Sequence, residues 1–526
     1  MHGEARQKIE EDAQSGKENQ PQQDVPRHVQ QELTNRGIEI GADGNVTWAD
    51  GALAHPRNWK MPRKLYDTGV LTTFITISAM TGNVGTATAR SAQEGLRISP
   101  VVANIAFASM FFFGQAAGGL LFPPYTESFG RKRTNVLAAV AYVVSCIVVG
   151  APQSLPAIII GRFFNGFLSA LPTVVGSGAL EDMWSIRPRV WAIDTWIKGS
   201  IIGIAVGPAF ATYVSTSLGW PWVYHISAIL LAGNSFLFLW TKESRPSVVL
   251  KREIVLVERT TGFRGLQQDK ADHVPDLSTF ARTMLCRPVR FFFTEPIICT
   301  VSTMSAVIFS SVYLQTEGLT VTYQVFGFSE REASLVYLTW IIGLILTIPL
   351  RLFDWHVLSA RIRQRKAITP EDKITGFFVA APVLCAALWW FAWTVPPYAP
   401  TISPFVSLAA LILVGACLNE FDGILQGYLT DSYAMYAASA NAPLAVIRGI
   451  LSGAFPIFAR QMFTNLGSNI STSILAIIAT VFVGIAIWFW FYAAKIRESS
   501  SWAVSVNGKD DGEEERKNIP KPLQLA

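Results

Sequence analysis

Charged side chains stand inside stretches of this chain that are otherwise apolar: Arg162, Asp194 with Lys198, Glu295, Glu420 with Asp422, and Arg448. A charge in hydrocarbon costs a few kcal/mol, so each must face protein or a water-filled path and is a candidate for moving ions or binding a polar solute. Asp194 and Lys198 are four apart with the acid first, the favourable order for an ion pair along a helix, which leaves either a self-satisfied pair or a binding site. Around residue 420 the chain reads Asn419-Glu420-Phe-Asp422-Gly-Ile-Leu-Gln426-Gly427. Two residues turn a helix by about 200°, so the two acids look in different directions. Asp422 shares a face with Asn419 and Gln426, a polar stripe suited to a cavity. Glu420 shares one with Gly423 and Gly427, which suits close packing, as a proton carrier or as a buried partner of Arg448. Asp194, Lys198, Asn419, Glu420, Asp422, Gln426 and Arg448 form the expected substrate cavity.

Other chemistries find no support. There is no phosphate-binding Gly-rich loop, no metal-ligand cluster and no nucleophile–base arrangement with recognisable spacing, so no cofactor, metal site or enzyme activity is expected. His356 beside Asp354 is the nearest approach to a reactive pair and reads as a loop pair. Cys146, Cys286, Cys299, Cys385 and Cys417 stand singly in or beside apolar segments and read as packing residues. The net charge of +5 is spread over short clusters rather than along one face, which excludes a nucleic-acid footprint.

The elements that must position these groups are membrane helices. Half of the residues are hydrophobic and only 15% are charged, against roughly a quarter in ordinary soluble domains. A window of about 19 residues finds spans near 66–88, 102–124, 134–151, 156–179, 191–213 and 222–240, then near 291–314, 333–351, 375–394, 403–426, 435–458 and 472–494. The expected fold is therefore all-α integral membrane, two bundles of six helices at 63–240 and 289–495, joined by a cytosolic loop at 241–288 too apolar-poor to fold. Residues 1–62 and 496–526 read as disordered cytosolic tails, with no cleavable leader. Lys and Arg gather at Arg57–Lys64, Arg131–Arg133, Arg187/Arg189 and Arg361–Lys366, while the opposite loops are short and uncharged, so both termini face the cytoplasm.

Several local motifs fit this frame. After the second span comes Gly118-Gly-Leu-Leu-Phe-Pro-Pro-Tyr-Thr-Glu127-Ser-Phe-Gly130-Arg131-Lys132-Arg133, an acid, a turn glycine and a cationic cluster. The fourth span carries Gly161-Arg162-Phe-Phe-Asn165-Gly166 and ends in Glu181-Asp182, one of which should pair with Arg131 or Arg187. The fifth reads Gly199-Ser-Ile-Ile-Gly203-Ile-Ala-Val-Gly207-Pro208-Ala-Phe-Ala211. Its residues four apart make a groove for a neighbouring helix, with a kink at the proline.

Together these resemble the major facilitator superfamily, in particular its fungal twelve-helix drug:proton antiporter-like group. Asn58-Trp59, Gly219-Trp220-Pro-Trp222, Lys242-Glu243-Ser-Arg-Pro, Arg287-Pro288 with Glu295-Pro296, Tyr428-Leu-Thr-Asp431-Ser-Tyr433, and Phe455-Pro456 extend the likeness along the chain. Pro123 and Glu127 replace the family's usual Gly and Asp. The resemblance implies that Glu127, Gly130, Arg131, Asp182, Glu295 and Asp431 serve gating, that Arg162 serves proton coupling, and that Gly199, Gly203, Gly207 and Pro208 form the helix-packing motif of exporters. It implies a monomeric, proton-coupled exporter of a drug, toxin or secondary metabolite. A symporter importing an organic acid or peptide-like metabolite, or a non-transporting sensor, are the alternatives. The plasma membrane is the expected location, with vacuolar and peroxisomal membranes left open.

Overall fold

The computed structural model describes residues 25–41, 44–151, 154–266, 287–364, 366, 369–396, 402–433 and 437–500. The side chains of residues 124, 127, 128, 437, 438, 498 and 499 are outside that description. Among the described residues, ten helices are long and apolar enough to cross a membrane. Two more, Met61–Asn83 of 23 residues and Trp220–Phe238 of 19, pack among them and complete the expected twelve.

In chain order the elements are α1 (Arg27–Asn35), β1 (Ile38–Ile40), β2 (Val46–Trp48), α2 (Met61–Asn83), α3 (Gly85–Leu96), α4 (Met110–Phe129), α5 (Arg131–Gly150), α6 (Leu155–Ala170), α7 (Gly176–Met183), α8 (Ile186–Leu218) and α9 (Trp220–Phe238). They continue as α10 (Pro246–Thr261), α11 (Arg287–Thr294), α12 (Pro296–Val325), α13 (Ile348–Arg363), α14 (Thr375–Thr394), α15 (Pro404–Ser432), α16 (Ala437–Leu466) and α17 (Ser468–Ser499). Two spans contain π turns: Ile105–Ser109 leads into α4, and Leu171–Val175 joins α6 to α7. The eighth span runs through Glu330–Arg363, alternating α and 3₁₀ turns before α13.

The chain divides into two units. The larger, Trp59–Arg245 with His273–Ala526, holds every span. Its interior is filled by Trp340, Tyr142, Tyr224, Tyr337, Phe107 and Phe112, while Ile160, Phe164, Ile229, Phe236 and Phe491 stay exposed on its outside. So much uncovered apolar surface suits contact with lipid rather than water.

The smaller unit, Met1–Asn58 with Pro246–Asp272, corrects an expectation. Where a disordered tail and an unfolded linker were anticipated, α1 leads into an antiparallel β1–β2 hairpin with Ile38 opposite Trp48, and α10 packs beside them. Val29 and Leu33 are four apart, and Leu250, Ile254 and Val257 also fall on one helical face, so each helix offers an apolar stripe. These side chains are buried together with Ile38 and Val46. Arg36 donates to Glu32 and Glu253, each at 2.9 Å, tying α1 to α10. Of the expected tails, 1–62 and 496–526, residues 1–24 and 501–526 lie outside the described residues, and α17 runs into the second as far as Ser499.

Candidate functional site: a charged cluster between the two helical halves

The link between α4 and α5 is a single residue. Gly130 has φ 91° and ψ 159°, a conformation essentially reserved for glycine. The helix thus continues through Pro123 and ends only at Phe129. The cationic cluster expected in a loop instead opens α5, where like charge at a helix N-terminus is unfavourable. Glu243 offsets this: its carboxylate accepts from the backbone N–H groups of Arg131 (2.8 Å) and Lys132 (3.1 Å). A Cβ on residue 130 would lie 2.6 Å from Glu243 Oε2. Arg131 Nε donates to Asp182 at 2.6 Å, so Asp182 is the acid of its pair that meets Arg131. The Glu127 side chain lies outside the described residues.

Arg162 is completely buried. Its guanidinium donates to Phe107 O (2.6 Å), Thr81 O (3.0 Å) and Gly82 O (3.3 Å), and lies against the rings of Phe111 and Tyr224. Thr81 and Gly82 belong to the last turn of α2 and Phe107 to a π turn, places where carbonyls are left over by the helical pattern. No carboxylate pairs with Arg162 among the described residues. Its contacts are those of a clamp on the break between α2 and α3.

The same end of α2 is held from a second side by α8. Cβ atoms added to Gly199 would meet Thr72 and Thr76, those on Gly203 would meet Thr76 O and Ala79, and those on Gly207 would meet Met80 O and Asn83. Only the lack of side chains lets the two backbones approach this closely. Pro208 has no N–H, so it cannot serve the carbonyl four residues back, that of Ile204. Asn83 Nδ2 donates to that oxygen at 2.5 Å.

Midway between the halves, at the end of the bundle that carries the cationic cluster, α8, α13 and α15 bring their charges together. Lys198 Nζ lies 2.6 Å from Asp194 Oδ2, the helical pair anticipated from their spacing. Arg351 contacts Asp354 (3.1 Å), Glu420, and more distantly Asp194 (3.8 Å). Asn419 Nδ2 bridges Asp194 Oδ1 (3.0 Å) and Glu420 Oε1 (3.3 Å). Asp194 comes from the first half of the chain, whereas Arg351, Asp354, Asn419 and Glu420 come from the second. With all groups ionised, three carboxylates face two cations in a site whose carboxylates are at most 7% exposed. An uncompensated buried charge is unfavourable, so this set is suited to holding one proton or one further cation.

Arg448 corrects a second expectation. Its partner is Asp422, with Nη1 2.5 Å from Oδ1, and not Glu420. The roughly 200° between the two acids sends Glu420 toward α13 and α8 and Asp422 toward α16. The Arg448 guanidinium also sits 3.2 Å from the Phe309 ring centroid. Gln426 and Arg448 line a small cavity of about 20 Å³, room for about one water, with Gln115, Thr173 and Asn441. Of the expected polar stripe only Gln426 lines it: Asp422 is turned to Arg448, and Asp194 and Glu420 take the Asn419 amide. Gly423 packs against Ile197 as a close-contact residue should, while nothing approaches Gly427 within 4 Å.

Glu295 and Asp431 lie apart from this cluster. Glu295 accepts from Tyr433 (2.9 Å) and Ser500 (2.7 Å), and Asp431 pairs with Lys373 at 2.7 Å. His356 and Asp354 prove to be helical rather than a loop pair: His356 Nδ1 meets Leu352 O of its own helix, and Asp354 faces Arg351. Arg351 and Asp354 were not foreseen as site residues. The signal was present, because an arginine ending an apolar window and an acid three residues on share one helical face.

Twelve packed apolar helices, with buried charges from both halves meeting between them, define a polytopic membrane transporter. A profile of the Major Facilitator Superfamily matches residues 69–456, and the chain belongs to that family. It is 28% identical over 409 residues to the major facilitator superfamily multidrug transporter FLU1 of Candida albicans, covering 75% of this chain and 65% of that protein. It is 27% identical to the efflux pump radE of Floropilus chiversii, covering 88% of this chain and 87% of that one. Among solved structures, the proton:xylose symporter XylE superimposes with a TM-score of 0.58 over 87% of this chain and 99% of its own, at 16% identity. That last likeness concerns the fold.

Proposed function

We propose that this protein exports small organic molecules, drugs, toxins or secondary metabolites, in exchange for protons by alternating access. The observation that carries the coupling is the charge imbalance among Asp194, Asp354, Glu420, Lys198 and Arg351, positioned where the two halves meet. In this reading the cluster faces the cytoplasm together with both termini. Its cross-half contacts hold that side shut, and loss of the bound proton favours their rearrangement. Arg131 with Asp182 steadies the same side, and the small polar cavity at Gln426 and Arg448 offers its groups to the solute once the halves part and widen it. Arg162, which bonds only to carbonyls in this arrangement, acts by fixing the α2–α3 break against which the halves rock. The Gly–Pro face of α8 and the likeness to a multidrug transporter and an efflux pump favour export. A monomer in the plasma membrane is the expected working form.

The test is flux in proteoliposomes under an imposed pH gradient, using compounds chosen by susceptibility of a deletion strain. Gradient-driven flux that disappears on adding a protonophore supports exchange with protons. Flux that persists unchanged after the gradient is collapsed would sink it. Glu420→Gln, in the cluster that carries the coupling, should keep solute exchange at equal pH and lose its dependence on the gradient.

A further inference from the structure

A second group of charges sits at the opposite end of the bundle, outside everything described so far. Glu317 lies in α12, eight residues from its C-terminal end, or about 12 Å along the axis. It is 1% exposed, and its Oε1 has no hydrogen-bond partner among the described residues. A carboxylate buried without donors is costly, so this oxygen calls for a proton or a cation.

Glu317 is not sealed in. It lines a cavity of about 350 Å³ with Arg90, Gln93, Gln324, Glu330 and Arg460. Arg90 belongs to α3, Glu330 to the turn that opens the eighth span, and Arg460 to α16, so the cavity is walled by both halves of the chain. Arg90 Nη1 is committed to Glu330 Oε1 at 3.1 Å across the halves. Arg460 is exposed and forms no ion pair among the described residues. Arg331, beside Glu330, donates to Thr216 on the cavity wall at 3.0 Å, and the phenol of Tyr337 is taken up by Thr320 and Thr316. Glu317 and Glu330 therefore share this cavity with Arg90 and Arg460: one pair is made, and the buried acid and the exposed cation are left on its lining.

We propose that Glu317 is the carboxyl that takes up a proton from the face opposite the cationic cluster, with Arg90 and Arg460 as the cations that face it once the proton leaves. This rests on the proton-exchange reading above and extends it: the α8–α13–α15 cluster and Glu317 then hold protons at opposite ends of the bundle. The Arg90–Glu330 pair is the contact that closes this face, and the state of Glu317 determines what Arg90 confronts beneath it.

The experiment is a pH-difference infrared measurement on the purified full-length protein in lipid, with no solute added. Wild type should show a protonated-carboxyl C=O band that loses one component in Glu317→Gln, shifts in Glu317→Asp, and persists in Glu330→Gln. Helical circular dichroism and gel-filtration behaviour establish that each variant is folded. An unchanged band in folded Glu317→Gln overturns the proposal. So does an unchanged band accompanied by loss of tetraphenylphosphonium binding, which would make Glu317 part of a site for cationic solutes instead. If wild type shows no gradient-driven flux, the transport reading fails by itself, and the infrared spectra still decide whether Glu317 takes up a proton.

Discussion

Replacing Asn83 by alanine should reveal how α2 and α8 are joined. The Asn83 amide serves the carbonyl of Ile204, which has no helical donor because residue 208 is proline. Orphaning a buried carbonyl costs about 1–3 kcal/mol, whereas interhelical hydrogen bonds in a membrane protein average about 0.6 and reach about 1.7 kcal/mol. With no fallback donor along the helix, the upper part of that range applies, and Asn83→Ala should destabilise by about 1–2 kcal/mol. Pro208→Ala supplies an N–H at the right place. In that background the same change should cost only a few tenths, a coupling of about 1 kcal/mol. Unfolding of all four proteins in dodecylmaltoside micelles with increasing dodecyl sulfate, followed by circular dichroism, measures the cycle. Additivity within about 0.3 kcal/mol would mean that the amide does not replace the missing proline donor, and would refute the reasoning.

Three further outcomes follow from the packing. Gly203→Val should lower the yield of folded protein sharply on gel filtration, since even its Cβ meets the Thr76 carbonyl and comes within 2.9 Å of Ala79. Arg131→Ala should destabilise by about 3–5 kcal/mol, because it leaves Asp182 without its 2.6 Å partner in a poorly solvated place; adding Asp182→Ala should recover part of that loss in the same dodecyl sulfate titration. Leu33→Asp, at a position 2% exposed, should open the small α1–α10 unit to limited proteolysis between residues 27 and 58 while leaving the twelve-helix body protected.

The architecture was legible because a spanning helix must be long and apolar, whatever its neighbours are. The Asp194–Lys198 pair was legible for a similar reason, since both members lie within one turn. Partners on different helices were not. Arg448 could have met either acid on α15, and only the packing of α16 against one flank of that helix selects Asp422. Arg351 was hidden by the method of reading: the apolar window stopped at it, although the helix continues to Arg363 because Asp194, Asp354 and Glu420 satisfy its charge. The small unit was hidden by distance along the chain. Neither α1 nor α10 has enough apolar surface to fold alone, and each completes the other only across more than two hundred residues.

That separation carries a consequence for biogenesis. Trp48 and Pro246 bracket the whole of the first six-helix half, so α1 and the hairpin emerge from the ribosome long before α10 exists. At about 5–20 residues per second they wait roughly 10–40 s without their partner. The unit can assemble only when the chain has passed back to the side on which it began. Its closure thus reports that an even number of crossings lies between its two parts.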